Sequence, residues 1–458
     1  MLFNSLEFIY GFLPLTLIAF YLATHYRLPK LAKTFLLLAS LFFYAYWKLT
    51  YFLLMMVSII VNYVFAVTLE KYRSKNVLKL SLCWNLGLLG YFKYFNFFIE
   101  NLNPLFSTAL TTVRLAIPLG ISFYTFQQIT YLVDVYQGKI KRFQLGDYAL
   151  CVTFFPHLIA GPILHYGQIM PQFSRLRTYR ANYRHLFLGI FFFVIGLFQK
   201  LVIADFLSPI ADRAFMNAHL LNVLEAWGGL FAYSFQLYFD FAGYSNMAIG
   251  LGWLFNIQII QNFNSPYQAV SFIDFWKRWH MSLSQFLKDY VYIPLGGNRL
   301  GVSRKYFNIL LTMLIGGFWH GAGWTFLLWG FYHGVLLVLN HWADDLKIKF
   351  SLIGGRVITF IMICYGWVWF RASHFSEAVE MSKALLGFHG FGKETYFLWK
   401  HEVAVLAILG AAALFMPNAQ KWSQRLSPTR TWCFLLVIVF LMDLLYLNRE
   451  SSFLYFQF

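Results

Sequence analysis

From Tyr306 to Asn340 the chain runs for 35 residues without a charged side chain. As one straight helix this run would be about 52 Å long at 1.5 Å per residue, far beyond the roughly 30 Å of a bilayer's hydrocarbon core. Arg304 and Lys305 precede it, and Lys347 and Lys349 follow it. Basic residues on both sides put both ends on one membrane face, the cytoplasmic one. The run is therefore expected to turn back near Gly316, Gly317, Gly321 and Gly323 as a re-entrant hairpin over 306–340, with His320 at its apex.

Apolar runs recur along the whole length. With 59% hydrophobic and 12% charged residues among 458, the solvent of this chain is mostly lipid, and an all-α polytopic membrane protein is expected. The net charge of +17 does not point to nucleic acid, because Lys and Arg sit in short clusters between apolar runs. Clusters at Arg27, Lys30 and Lys33, at Lys71, Arg73, Lys75 and Lys79, and at Lys139, Lys141 and Arg142 follow the first, third and fifth runs. Alternate loops are thus cytoplasmic and the first residues extracytoplasmic. The opening MLFNSLEFIYGFLPLTLIAFYL has no basic stretch and no cleavage site, and reads as a retained span. Cys83, Cys151, Cys364 and Cys433 have neither paired nor metal-ligand spacing, and read as packing residues.

The run ALCVTFFPHLIAGPILHYGQIM breaks the alternation, since Arg175, Arg177, Arg180 and Arg184 come next. Pro156, Gly161 and Pro162 predict a second hairpin there, tolerated where protein or water surrounds it. Single spans near 186–205, 222–250, 352–370, 402–417 and 431–447 bring the count to about ten crossings plus two hairpins. No inverted repeat of the transporter kind is visible.

Residues 271–299, SFIDFWKRWHMSLSQFLKDYVYIPLGGNR, begin with a capping-box pattern from Ser271 to Asp274. Phe272, Phe275, Trp276, Trp279, Leu283, Phe286, Leu287 and Tyr290 share one face of a continuous helix, with Lys277, Arg278, Lys288 and Asp289 opposite. The pattern predicts a helix at the cytoplasmic interface, His280 lying at the edge of its apolar stripe. Pro294, Gly296 and Gly297 end it in a turn carrying Asn298 and Arg299. That turn is either a phosphate cradle or a plain cytoplasmic turn.

Most of the twelve histidines sit near span ends or in loops and read as structural; His157, His165 and His333 are counted with them. His320 has two readings. An ionisable group at membrane depth suggests function, while a neutral ring bonded to a backbone carbonyl would be packing. Asp134 and Asp240 lie in apolar surroundings, where each can orient a ring or pair with a buried arginine.

Taken together, GISFYTFQQITYLVDVYQG, FFPHLIAGPI, YFDFAGYSNMAIGLG, NFNSPY, DFWKRWHMSLSQFLKDYVYIPLGGNR and GGFWHGAGWTFLLWGFYHG resemble the membrane-bound O-acyltransferase family, in its bacterial polysaccharide O-acetylating branch. The resemblance implies a single domain over 1–458 with a central tunnel in the bacterial inner membrane. It implies transfer of acetyl from cytoplasmic acetyl-CoA, with no permanently bound cofactor or metal. The acceptor would be a hydroxyl of an extracytoplasmic polysaccharide, whether alginate, peptidoglycan or another, reached directly or through a periplasmic partner transferase. His320 maps onto the family's deep histidine, as general base. His280 maps onto its second site position, bonding the developing charge or placing the thioester carbonyl. Trp276, Trp279, Asn298, Arg299 and Asp240 become candidates for holding donor or substrate. The related D-alanyl transferases of teichoic acid share the tryptophan and histidine pattern but diverge after the signature helix. Asn246 departs from the family pattern, which has aspartate there. A transporter of acyl donor or polysaccharide precursor, and a scaffold for an export complex, are the competing classes.

Overall fold

The computed structural model describes residues 1–113, 115–348, 350–392, 399–447 and 453–454. Lys349, one of the basic flanks used above, lies outside them. Among the described residues every regular element is a helix. Among the described residues, four stretches are long and apolar enough to cross a membrane: Glu7–His25, Leu49–Tyr72, Tyr183–Met216 and Leu352–Arg371. Of the other apolar runs, that near 222–250 lies on one unbroken helix, Val223–Leu254, and the second half of the uncharged run on Trp324–Asp345, while the stretch GISFYTFQQITYLVDVYQG is helical only over Ile121–Tyr136.

The chain forms two compact units. The first comprises Met1–Ile195, Tyr244–Ile260 and Ser427–Leu447. Its centre is a cluster of phenylalanines from distant segments. Phe155 meets Phe12 edge-on at 5.2 Å and Phe43 at 5.6 Å, while Phe3 stacks on Tyr244 at 4.9 Å. Lipid offers no hydrophobic drive for helices to associate, so polar contacts between them matter. Here the helices Leu49–Tyr72, Lys75–Leu89 and Ile121–Tyr136 are joined by buried amides and a hydroxyl. Ser58 Oγ donates to Gln128 Oε1 at 2.8 Å, and Asn85 Nδ2 donates to Asn62 Oδ1 at 2.6 Å.

The broken run after Arg142 forms a helix at Leu145–Thr153, one turn at Phe155–Leu158, and no regular structure until Tyr166–Phe173. Gly161 sits so close to His157 that an added Cβ would lie 2.5 Å from its Cα, and only glycine closes this turn. Asp134 is buried and pairs with Lys139 at 3.2 Å and with His165 at 3.8 Å, so it meets a ring and a lysine, not an arginine.

The second unit comprises Gly196–Gly243, Gln261–Leu426 and Asn448–Phe458. Its interior is aromatic: Trp279, Trp329, Trp367, Tyr267 and Phe275 are all buried. A wide π-type turn over Gln199–Ala204 turns Lys200 inward. Its ammonium lies 2.9 Å from Asp205 and 2.7 Å from Asp240, with Lys200 only 3% exposed. Asp240 also accepts the Leu454 backbone N–H at 3.1 Å.

Candidate active site

The long uncharged run is two helices, Val302–His320 and Trp324–Asp345, joined through Gly321 and Gly323. The helix continues past Gly316 and Gly317. A Cβ on Gly317 would lie 2.4 Å from the Phe326 carbonyl oxygen, and one on Gly330 would lie 2.4 Å from that of Met313. The two backbones therefore touch, and the helices pack as closely as glycine allows. His320 is the last residue of the first helix and is buried. Trp319, Trp329 and Phe370 surround its ring at 4.9, 5.0 and 5.1 Å.

His280 arrives from a segment that departs from the continuous helix expected over 271–290. Ser271 Oγ accepts the Asp274 N–H at 3.2 Å, as a cap should. Asp274 does not return the bond to Ser271; it accepts the Val270 N–H at 3.1 Å and Arg278 Nε at 2.8 Å. The helix then ends after Phe272–Trp276 and resumes at Met281–Leu287. Between them His280 takes a left-handed backbone, φ 42°. The cause is tertiary: the irregular segment 262–264 pairs with this break, Asn264 N–H donating to Arg278 O and Met281 N–H to Asn262 O, each at 2.9 Å. The break resets the helical phase, so His280 is fully buried instead of sitting at a stripe's edge.

The two histidines come together, ring centroids 6.4 Å apart. Asn262, fully buried, holds the second of them. Its Oδ1 accepts the Ser282 N–H at 3.1 Å and the Ser282 hydroxyl at 3.0 Å, and lies 3.3 Å from His280 Nδ1. An amide oxygen only accepts, so the His280 proton belongs on Nδ1, and in the neutral ring Nε2 presents a lone pair. Burial pushes the His280 pKa down to about 3, which keeps the ring neutral. Phe241 meets its face edge-on at 4.8 Å.

Beside this centre the second unit holds an open cavity of about 690 Å³. Trp276, Asn298 and Arg299 line it, with Lys277 and Lys288. The glycine turn is held open by Asn308, whose Nδ2 donates to Gly297 O at 2.9 Å and to Leu295 O at 3.2 Å. Trp276 also faces Trp329 at 5.9 Å, and Trp329 is the tryptophan against His320. The remaining two candidates lie elsewhere. Trp279 is packed between Phe275 and Trp367, at 5.6 and 4.9 Å, and Asp240 is tied to Lys200. Asp240 thus meets a lysine, where a ring or a buried arginine was the expected partner. Among the described residues no group of three His, Cys, Asp or Glu side chains is placed to hold a metal ion.

Two residues at this centre escaped the sequence reading. Asn262 stands in NFNSPY, a motif noted only for its likeness to the family, and nothing in it signals pairing with a position 18 residues on. His333, read as structural, is buried 4.7 Å from Trp329 and 5.4 Å from Trp276, and among the described residues neither ring nitrogen has a hydrogen-bond partner.

The family model of the membrane-bound O-acyltransferases matches residues 11–373. The chain is 40% identical to the peptidoglycan O-acetyltransferase of Helicobacter pylori, over 100% of this chain and 98% of that protein. It is 40% identical to the probable alginate O-acetylase AlgI of Azotobacter vinelandii, over 85% of this chain and 78% of the other. Similarity extends to the teichoic acid D-alanyltransferase of Streptococcus thermophilus, 30% identical over 48% of this chain and 56% of that protein.

Proposed function

Because this chain belongs to the membrane-bound O-acyltransferase family and is a membrane acyltransferase, we propose that it carries acetyl from cytoplasmic acetyl-CoA to a polysaccharide hydroxyl outside the inner membrane. The observation that supports this most is the pair of buried histidines beside a cavity whose wall carries Lys277, Lys288 and Arg299. Three cations suit the diphosphate and 3′-phosphate of coenzyme A. In this reading about ten crossings surround a tunnel with His320 near its waist, the donor entering from the cytoplasm and the acceptor from the opposite face.

In the reaction proposed, a ring nitrogen of His320 takes the proton of the acceptor hydroxyl as its oxygen attacks the thioester carbonyl. The C–S bond breaks and the leaving thiolate recovers that proton, giving an acetyl ester and free coenzyme A. His320 ends its helix, and the carbonyl end of a helix favours the transient imidazolium. His280 works in its neutral form. With Nδ1–H committed to Asn262, its Nε2 lone pair orients a donor, the acceptor hydroxyl or the His320 N–H, in preference to donating to the carbonyl.

The correspondence with a peptidoglycan O-acetyltransferase runs the full length of the chain, whereas that with AlgI covers 85% of it. This favours a cell-wall glycan as the acceptor, modified directly or through an extracytoplasmic partner transferase. The test is label transfer from [14C]acetyl-CoA to peptidoglycan fragments by the purified protein in detergent, with and without the partner. Wild-type protein is expected to release thiol and label glycan, and His320→Ala to do neither while keeping its melting temperature. Undiminished transfer by His320→Ala sinks the assignment.

A further inference from the structure

A second cavity, of about 420 Å³, lies wholly within the first unit. Its wall is polar and includes Gln168, Arg175, Arg177, Asn182 and His185. No residue is shared with the cavity proposed for the donor.

Hydrogen bonds fix its frame. Gln172 Nε2 donates to Gln258 O at 3.0 Å, and Gln172 Oε1 accepts the Gln258 N–H at 2.9 Å. Asn256 has a left-handed backbone, φ 59°, a conformation asparagine tolerates better than most residues. Its Nδ2 donates to the carbonyls of Thr178 and Arg180, 2.9 Å each, which settles the orientation of the amide. Oδ1 then accepts from His185 Nδ1 at 2.9 Å, and the ring rests edge-on against Trp253 at 4.5 Å. The amides of Gln172 and Asn256 are thus engaged in holding the walls, and the side chains left to meet an anion are the guanidinium groups of Arg175 and Arg177 and the amides of Gln168 and Asn182.

The charge is unbalanced. Among the described residues no carboxylate lies within ion-pair distance of Arg175, Arg177, Arg180 or Arg184. Four arginines in ten residues therefore stand without internal counter-charge, two of them in the cavity wall. Interleaved with them, Leu176 is 70% exposed and Tyr183 82% exposed. Tyr183 opens the apolar stretch Tyr183–Met216, so this loop enters the membrane where phosphates end and hydrocarbon begins.

We propose that this cavity binds the phosphate of an anionic phospholipid headgroup. Arg175 and Arg177 hold the phosphodiester oxygens as paired donors, and Gln168 and Asn182 reach the headgroup hydroxyls. Leu176 and Tyr183 lie along the acyl chains. A freely diffusing phosphate needs the arginines but not exposed apolar side chains between them in the same loop, and Leu176 and Tyr183 decide for lipid.

The experiment is native mass spectrometry of the full chain released from detergent, titrated with dioleoyl phosphatidylglycerol, dioleoyl phosphatidylcholine or inorganic pyrophosphate. One saturable phosphatidylglycerol adduct per chain is expected, weakened roughly tenfold or more in the Arg175→Gln/Arg177→Gln double variant, the scale of losing charge-assisted bonds. Phosphatidylcholine should bind weakly and indifferently to the substitutions. If the double variant does not fold, Asn182→Ala and Gln168→Ala, which keep both guanidinium groups, are each expected to weaken the adduct severalfold. Pyrophosphate binding that depends on the arginines, with no preference for phosphatidylglycerol over phosphatidylcholine, would overturn the lipid source. Equal phosphatidylglycerol retention by the wild type and the folded variants would overturn the site.

Discussion

Asn262 Oδ1 lies 3.3 Å from His280 Nδ1 while also accepting the Ser282 N–H, so the asparagine fixes both the tautomer and the tilt of the ring. Groups that orient a functional imidazole are typically worth about 10- to 100-fold in activity. Asn262→Ala is accordingly expected to lower kcat by roughly that factor and leave KM for acetyl-CoA near its original value. Asn262→Asp keeps an acceptor at the same place and should recover part of the rate. Steady-state kinetics of the three proteins, with melting temperatures alongside, checks this; a rise in KM or a fall in melting temperature that accounts for the whole loss would count against a positioning role.

A second expectation concerns pH. Burial holds the His280 pKa near 3, so the ring does not change charge anywhere between pH 5 and pH 8. His280→Asn should therefore slow transfer without moving the midpoint of the pH–rate profile in that window. A midpoint that shifts or vanishes in the variant would show that His280 itself titrates during turnover.

The donor cavity carries its own test. Arg299→Gln, or Lys277→Gln with Lys288→Gln, removes charge from the wall facing the proposed coenzyme A phosphates. Each charge-assisted bond is worth about 1.5–3 kcal/mol, so KM for acetyl-CoA should rise by roughly tenfold or more. KM for S-acetyl-N-acetylcysteamine, which has no phosphate, should stay unchanged. If both donors suffer alike, the cavity does not hold the nucleotide end.

The buried Lys200 bridges Asp205 and Asp240 at 2.9 and 2.7 Å. Lys200→Met leaves two carboxylates without their cation, a break that costs about 3–5 kcal/mol in buried pairs. Thermal unfolding in detergent should fall clearly. The triple variant Lys200→Met, Asp205→Asn, Asp240→Asn should recover most of the loss, because no uncompensated charge remains. A single variant as stable as wild type would show that water already reaches this group.

The sequence made some of this legible and hid the rest for identifiable reasons. Local signals read well in part: of the four glycines that marked the turn, 321 and 323 form it while the helix runs on through 316 and 317, and Ser271 marked a helix start. The helical-wheel placement of His280 failed because it assumed an unbroken 100° per residue across 271–290. Pairing with 262–264, a contact between segments remote in sequence, interrupts that phase at Trp276 and restores it at Met281. No local pattern carries such information. Family likeness pointed to the two histidines, yet it did not indicate that Trp279 and Asp240 would be committed to packing and to an ion pair.

Gly317 and Gly330 let two helix backbones meet where any side chain would clash, one turn from His320. For the base proposed at His320, so close a contact leaves little arc through which to swing, and little ordering entropy would be spent bringing it into line at each cycle. The pace of catalysis would then be governed by traffic, the arrival of glycan and the departure of spent coenzyme, and not by rearrangement of the centre. One methyl group at position 330 would be felt as a loosening of the base's aim, without touching either substrate.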